Sequence, residues 1–183
     1  MMYPDYELIA KITAGNLHAF RLLVNRYERL VQHMVQRIIK DEEDVKDICQ
    51  DVFIKVYRNL GRFKQESKLS TWIAQIAYTT SLDYLKSTQQ KYKQNGEVNN
   101  SHYQIEGGSD PEQELNKKEL RTFIVHEINQ LPDNYRLVVN LFHIDDYSYQ
   151  EIAEITGLSE GTIKSHLFRA RKILKDKLVK LAN

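Results

Sequence analysis

The chain has 183 residues, and its net charge of +1 excludes a globally basic nucleic-acid-binding protein. A single cysteine, Cys49, excludes an internal disulfide and fits a reducing compartment. Because the start, MMYPDYELIA, lacks a signal-peptide pattern and no apolar run approaches bilayer length, we predict a cytoplasmic protein with no membrane insertion.

Apolar residues recur at helical spacing throughout, and no convincing alternating strand pattern occurs, so the sequence predicts an all-α fold. We expect two small helical domains, residues 1–88 and 111–183, joined by a flexible linker over residues 89–110. Many Asn and Gln, few apolar residues and three of the seven glycines make that segment a poor candidate for packing.

Three amphipathic helices are predicted in the first domain. Their apolar stripes run from Ala19 to Ile39, from Val45 to Leu60 and from Ile73 to Tyr84. Ser70 or Thr71 is expected to cap the third helix, because short hydroxyl side chains satisfy the free N–H groups at a helix start.

The second of these helices carries an acidic segment, with six acids and one lysine from Asp41 to Asp51. With its valines turned inward, the outer face presents these residues: Asp47, Gln50, Asp51, Ile54 and Arg58. The helix dipole explains acids in the first turn, but it does not explain an exposed isoleucine. An apolar centre among polar neighbours favours a protein-binding surface.

A net basic loop, residues 62–70, precedes the third helix, whose outward residues include Gln75 and Thr79. Basic and hydrogen-bonding side chains in such a loop are typical of surfaces that hold single-stranded bases, although the pattern is weak alone. We expect Phe63 and Trp72 to be core residues rather than stacking platforms.

The second domain is predicted to open at Asp110-Pro111, a capping residue followed by proline at the first helical position. One helix carries an apolar stripe from Leu115 to Ile128, and a break at residues 131–133 leads into the next, which carries Leu137 to Phe142. Ser148 to Glu151 then reads as a capping box that begins another helix.

Residues 149–174, YQEIAEITGLSEGTIKSHLFRARKIL, have the spacing of a helix-turn-helix. Gly157 suits the left-handed position that ends a helix, and Ser159 can cap the next one. Seven Lys or Arg and one acid lie between Lys164 and Lys180. The face opposite the apolar stripe and its flanks contain Gly161, Thr162, Lys164, Ser165, Phe168, Arg169 and Lys172. This face predicts a helix that enters the major groove of DNA.

An enzyme or a metal site is the alternative from a different class. His143, Asp145 and Asp146 form the nearest thing to a ligand cluster, but no second pair at ligand spacing accompanies them. Cys49 lies on an apolar stripe without a base near it in sequence. We therefore predict no catalytic residue, no metal and no cofactor.

The order of these segments resembles a bacterial sigma factor of the extracytoplasmic-function (ECF) class, in the sigma-70 family. The resemblance rests on QDVFIKVYRNLGRF, STWIAQIAYTTSLDYLK, LPDNYRLVVNLF and the helix-turn-helix, in family order with a polar linker. It implies a first domain (sigma domain 2) that binds the RNA polymerase clamp and the promoter −10 element. The second (sigma domain 4) would bind the polymerase flap and read the −35 element.

The resemblance implies a role for each matching set of residues. Core polymerase would contact Asp47, Gln50, Asp51, Phe53 and Ile54. The −10 element would contact Arg62, Lys64, Ser67, Lys68, Ser70, Gln75 and Thr79. The −35 element would contact the groove face of the helix-turn-helix. Family members commonly have Asn where this chain has Thr79, so its −10 preference is expected to differ or to rest more on the loop.

The mechanism implied is recruitment of polymerase, with one base of the melted strand held outside the stack, rather than catalysis. An anti-sigma partner is a further expectation from the family. The closest rival is a helix-turn-helix regulator of the response-regulator type, which would act without replacing sigma. Such a regulator usually carries a receiver or ligand-binding domain, and the N-terminal half here lacks strand patterns and a strand-end aspartate.

Overall fold

A computed structural model describes residues 3–95 and 122–181, and within them the side chains of residues 3–88 and 122–179. The described backbone contains helices and no strand, which confirms the all-α prediction. The helices form two units. The predicted helix start at Asp110-Pro111, the apolar positions Leu115 and Leu120, and residues 96–110 of the predicted linker lie outside the described residues.

The first unit contains four α-helices and one short 3-10 turn. They are α1 (Asp5–Thr13), α2 (Leu17–Gln36), α3 (Glu42–Asn59), the 3-10 turn (Leu60–Arg62) and α4 (Leu69–Asn95). Helices α2, α3 and α4 pack against one another, and α1 packs on α2. Each predicted apolar stripe supplies fully buried residues to the core, among them Leu23, Val52 and Ile73. Burial of these stripes is the main force that holds the three helices together.

Capping side chains fix where α2 and α3 begin. The Asn16 side chain accepts a hydrogen bond from the backbone N–H of Ala19 at 3.0 Å. The Asp41 carboxylate accepts from the N–H groups of Glu43 and Asp44 at 2.9 and 3.1 Å. Caps of this kind contribute about 1 kcal/mol each. Asp41, the first residue of the acidic segment, therefore stabilises the start of α3.

An ion pair and a buried phenol fasten α1 to α2. Arg26 donates to Asp5 at 2.6 Å, and the Tyr27 hydroxyl donates to the other oxygen of the same carboxylate at 2.6 Å. Burial of Tyr27, together with its bond to Asp5, raises the pKa of this hydroxyl. The neutral phenol is thus the form that the fold favours.

Helix α4 differs from the sequence expectation at both ends. It begins at Leu69, one residue before Ser70, so Ser70 and Thr71 lie inside the first turn rather than at the N-cap position where the sequence analysis placed one of them. It ends at Asn95, so the backbone of residues 89–95 continues the helix beyond the predicted domain boundary at residue 88. The linker was placed by its polar composition, but Gln and Lys are good helix formers and extend a helix without apolar anchors.

The described part of the second unit contains α5 (described over residues 122–129), α6 (Asp133–His143), α7 (Tyr149–Thr156) and α8 (Glu160–Leu181). Both reciprocal bonds of the predicted capping box are present, from the Ser148 N–H to Glu151 at 2.9 Å and from the Glu151 N–H to Ser148 at 3.2 Å. Gly157 ends α7 with a φ of 73°, a conformation in which a side chain is strained. The predicted helix-turn-helix is therefore confirmed in its local geometry.

The apolar stripe of α8 is buried as predicted. Ile163, Leu167 and Ala170 are at most 1% exposed. Ser159 accepts a hydrogen bond from the N–H of Thr162 at 3.2 Å, so it caps this helix as expected. With the stripe fixed inward, the basic and groove-facing residues point to the opposite side of α8.

Candidate functional surfaces

The outer face of α3 is exposed where the sequence placed it. Asp47, Gln50 and Asp51 are exposed, and Ile54 leaves 47% of its surface open to solvent. Because the neighbouring Val52 is fully buried, the helix cannot rotate to hide the isoleucine. The face combines carboxylates with an apolar centre, a composition that suits a basic protein partner.

An aromatic pair extends the apolar part of this face towards α2. Tyr57, one turn after Ile54, is 40% exposed, and its ring meets the ring of Phe20 edge to face, with centroids 4.8 Å apart. Phe53, which was predicted among the contact residues, is half-buried and lies nearer the core side of α3. The contact between Tyr57 and Phe20 has no local signal in the sequence, since the two residues are distant along the chain.

The loop before α4 presents its basic side chains to solvent. Arg62, Lys64 and Lys68 are exposed, whereas Ser67 and Ser70 are half-buried. Gln65 has a φ of 58°, a left-handed conformation that residues with side chains rarely adopt. Backbone strain of this kind is often kept at binding loops, so the loop has the features of a ligand-contacting segment.

Two aromatic residues, one in this loop and one in α4, contact each other. Phe63 and Trp72 are both half-buried, and their ring centroids lie 5.2 Å apart at an angle of 42°. The two rings contact each other, but neither residue belongs to the buried core where the sequence analysis placed them. The pair joins the loop to the first turn of α4.

The exposed side of α4 continues from the loop. Gln75 and Thr79 are exposed one turn apart, as predicted. The Thr79 hydroxyl donates to the backbone carbonyl of Gln75 at 2.9 Å, which uses its only proton. Thr79 can therefore accept a hydrogen bond from a ligand, but it donates one only by giving up the bond within the helix.

The face of α8 opposite its apolar stripe contains the predicted groove-facing residues. Among them, Gly161, Lys164, Ser165, Phe168, Arg169 and Lys172 are exposed. Thr162 is half-buried, and its hydroxyl lies 2.9 Å from that of Ser159. Phe168 is 70% exposed, so its ring is open to contact with a partner.

Aromatic residues from α6 and α7 hold basic side chains of α8. The Lys164 ammonium lies 5.3 Å from the centre of the Tyr149 ring, and it also pairs with Glu160 at 3.4 Å. The Tyr149 ring stacks on Phe142, with centroids 4.8 Å apart and an angle of 11°. The guanidinium of Arg171 lies over the Phe142 ring, 6.0 Å from its centre. The sequence analysis did not predict these contacts, because aromatic contacts between helices leave no local pattern in the sequence.

Arg171 also has a partner at the end of α6. It donates to the His143 ring at 3.2 Å, so His143 must stay neutral to accept the bond. Partial burial and the nearby guanidinium both lower the pKa of His143. This histidine therefore fastens two helices, and no group of three or more possible metal-ligating side chains surrounds it within the described ranges.

The remaining candidates for chemistry also have structural explanations. Burial raises the pKa of the Cys49 thiol, so the reactive thiolate is disfavoured.

No helix in the described parts of the chain is long and apolar enough to cross a membrane. The notable surfaces are thus an acidic face on α3, a basic loop with the adjoining side of α4, and a basic face on α8.

Comparison with known families decides between the interpretations of these surfaces. The family described as "Sigma-70 region 2" matches residues 23–91, and "Sigma-70, region 4" matches residues 124–174. The ECF RNA polymerase sigma-E factor of Escherichia coli (strain K12) is 33% identical over 180 residues, covering 95% of this chain and 94% of that protein. The chain belongs to the ECF sigma factors.

A second relative supports this assignment, and two solved structures share the fold of this sigma factor. The ECF RNA polymerase sigma-E factor of Haemophilus influenzae (strain ATCC 51907 / DSM 11121 / KW20 / Rd) is 30% identical over 95% of each chain. RpoE of Bartonella quintana, solved with the anti-sigma factor NepR, has the same fold, with a TM-score of 0.68 at 22% identity over 87% of this chain and 96% of that one. CnrH, solved with the cytosolic domain of CnrY, gives 0.65 at 22% identity over 96% and 97%.

These matches also remove the response-regulator alternative. A regulator of that type would share only the helix-turn-helix, whereas the region 2 match covers most of the first unit of this sigma factor. The protein is an alternative sigma factor, which binds core RNA polymerase and directs promoter-specific initiation through −10 and −35 elements. Sigma factors are transcription initiation factors, and the surfaces described above are the candidates for that work.

Proposed function

We propose that three surfaces of this sigma factor divide the work of initiation between them. The outer face of α3 binds the polymerase clamp, the loop of residues 62–70 with α4 holds the −10 element, and α8 reads the −35 element. The proposal rests above all on Phe168, which is 70% exposed in the middle of a basic helix face. DNA explains both properties, since a thymine methyl covers the ring and phosphates pair with the cations.

The clamp contact is supported by charge and by apolar area. Asp47 and Asp51 give α3 a negative face, which favours encounter with a basic partner. Ile54 supplies the apolar surface that the contact removes from water. Phe53 is half-buried and contributes at the edge of the contact. The second unit would bind the polymerase flap.

The −10 contact is supported by the position of the basic loop beside the exposed side of α4. Arg62, Lys64 and Lys68 would pair with phosphates of the melted strand. Ser67, Ser70, Gln75 and Thr79 would offer hydrogen bonds to a base outside the stack. Because the Thr79 hydroxyl already donates within α4, we infer that the loop carries more of the base selection than Thr79 does.

The −35 contact uses Gly161, Thr162, Lys164, Ser165, Phe168, Arg169 and Lys172. The glycine permits close approach of the helix to DNA, and the basic side chains flank the groove. These roles need no catalytic residue, metal or cofactor, and we expect the protein to act in the cytoplasm. An anti-sigma factor remains an expected partner.

Mobility-shift titration tests how this protein reaches DNA. Labelled promoter duplex is titrated with the purified chain alone, with core polymerase alone and with both together. We expect weak binding by the chain alone and a discrete promoter complex only when both proteins are present. Tight, sequence-specific binding by the chain alone, unchanged by polymerase, would overturn the division of work proposed here.

A further inference from the structure

Tyr135 of α6 contacts two residues that lie one turn apart on α8. Its ring packs against the ring of His166, with centroids 5.2 Å apart at an angle of 58°. Its hydroxyl accepts a hydrogen bond from Arg169 at 3.4 Å. One side chain from outside the helix-turn-helix therefore reaches along α8 to a residue of the proposed −35 surface.

The two ends of this contact differ in exposure to solvent. Tyr135 is half-buried, and it packs on a histidine whose Nδ1 atom is buried with no hydrogen-bond partner. The contact with His166 covers part of the ring and limits how far the hydroxyl can move. Arg169 is exposed and has many rotamers in solution. A fixed acceptor beside a mobile guanidinium restricts the directions in which the guanidinium points.

The chemistry of the acceptor also matters. Lys164, on the same face of α8, forms an ion pair with Glu160 at 3.4 Å. Arg169 has no carboxylate partner within the described part of the chain, and its described contact is the uncharged phenol of Tyr135. A phenol oxygen orients the guanidinium without neutralising it, so the full positive charge stays available to DNA.

We propose that Tyr135 is a positioning residue for promoter recognition, which sets the direction of Arg169 before DNA arrives. The proposal rests on the −35 role of α8 put forward above. Preorganisation of this kind lowers the entropy that is lost on binding. It also narrows the set of base pairs and phosphates that Arg169 can reach, so the hydroxyl contributes to selectivity as well as to affinity.

The test compares Tyr135→Phe, Arg169→Ala and the double variant. Phenylalanine keeps the ring on His166 and removes only the hydroxyl. Each protein is combined with core polymerase, and initiation is measured on a library of −35 sequences. We expect Tyr135→Phe to weaken preference by about two- to fivefold at those base pairs that Arg169→Ala affects, since the contact is long and exposed. In the double variant, Tyr135→Phe should add nothing.

A matched control and a stability measurement separate positioning from folding. Tyr6→Phe removes a hydroxyl from an exposed tyrosine of α1 and should leave the preference profile unchanged. The thermal midpoint of Tyr135→Phe should equal that of the unaltered protein.

Each remaining result has a defined meaning. An unchanged profile in Tyr135→Phe, alongside a clear effect of Arg169→Ala, would overturn the positioning role and leave the −35 surface intact. A Tyr135→Phe effect that persists in the absence of Arg169 would overturn it as well, since Tyr135 would then act on DNA directly. If Arg169→Ala itself changes nothing, the −35 role of Arg169 fails, and the role of Tyr135 fails with it.

Discussion

Replacing Ile54 with alanine should separate binding to polymerase from folding. Full burial of an isoleucine side chain contributes about 2 kcal/mol. Since 47% of Ile54 is exposed in the free protein, covering that part against a partner is worth about 1 kcal/mol. Ile54→Ala should therefore raise the Kd for core polymerase about fivefold.

The same substitution should cost little stability. The already buried part of the side chain contributes about 1 kcal/mol, and alanine returns a few tenths through its higher helix propensity. A loss of this size lowers the thermal midpoint by only a few degrees, roughly 4–8 °C per kcal/mol in a domain of this size. The fully buried Val52 is the contrasting site, where Val52→Ala should cost about 2 kcal/mol through the cavity that it leaves.

Fluorescence anisotropy of the labelled chain, titrated with core polymerase, measures the binding effect, and circular dichroism measures the stability. Gln32→Ala, on an exposed position of α2, is the matched control and should change neither quantity. If Ile54→Ala binds core polymerase as tightly as the unaltered chain, the apolar centre of the α3 face is not part of the contact. The reasoning from exposed area would then be wrong.

Four further outcomes are expected. Asp51→Arg, which reverses an exposed charge, should weaken pull-down of core polymerase without changing helicity; normal pull-down would put the contact elsewhere. Arg169→Ala should reduce transcription at least severalfold from promoters that need the −35 contact and spare those that do not, as run-off assays would reveal. Gly157→Ala should destabilise the second unit by about 1 kcal/mol in urea unfolding. The cause is the φ of 73° at Gly157, which strains any residue with a side chain, because an added Cβ would meet no atom within 4 Å. The pKa of His143 is lower in the folded state than in the unfolded state. The stability that the neutral ring contributes is therefore present above about pH 6.5 and declines as the pH falls towards the folded pKa. His143→Gln should flatten the pH dependence of the urea midpoint in this range.

Local signals in the sequence predicted much of the second unit. The capping box at Ser148, the left-handed Gly157 and the cap at Ser159 each depend on residues within a few positions of one another. The apolar stripe from Ile163 to Ala170 then fixes which side of α8 is exposed. The same logic worked for α3, where the outward position of Ile54 follows from its spacing to the buried valines.

Features that depend on distant residues were not predictable in this way. The bond between Tyr135 and Arg169 joins residues 34 positions apart, and the pairing of Phe20 with Tyr57 joins two different helices. The short helix α1 escaped notice because nine residues give only a brief apolar stripe, and its attachment depends on the bonds of Asp5 to α2. At the end of α4, composition indicated a linker where helix propensity extends the helix to Asn95.

Run-off transcription with purified core polymerase on a promoter library tests the central claim most directly. We predict that the purified chain directs initiation from a defined subset of promoters sharing −10 and −35 sequences, and that core polymerase alone does not use them. If adding the chain neither produces transcripts nor changes which promoters are used, its assignment as a promoter-selecting initiation factor is contradicted.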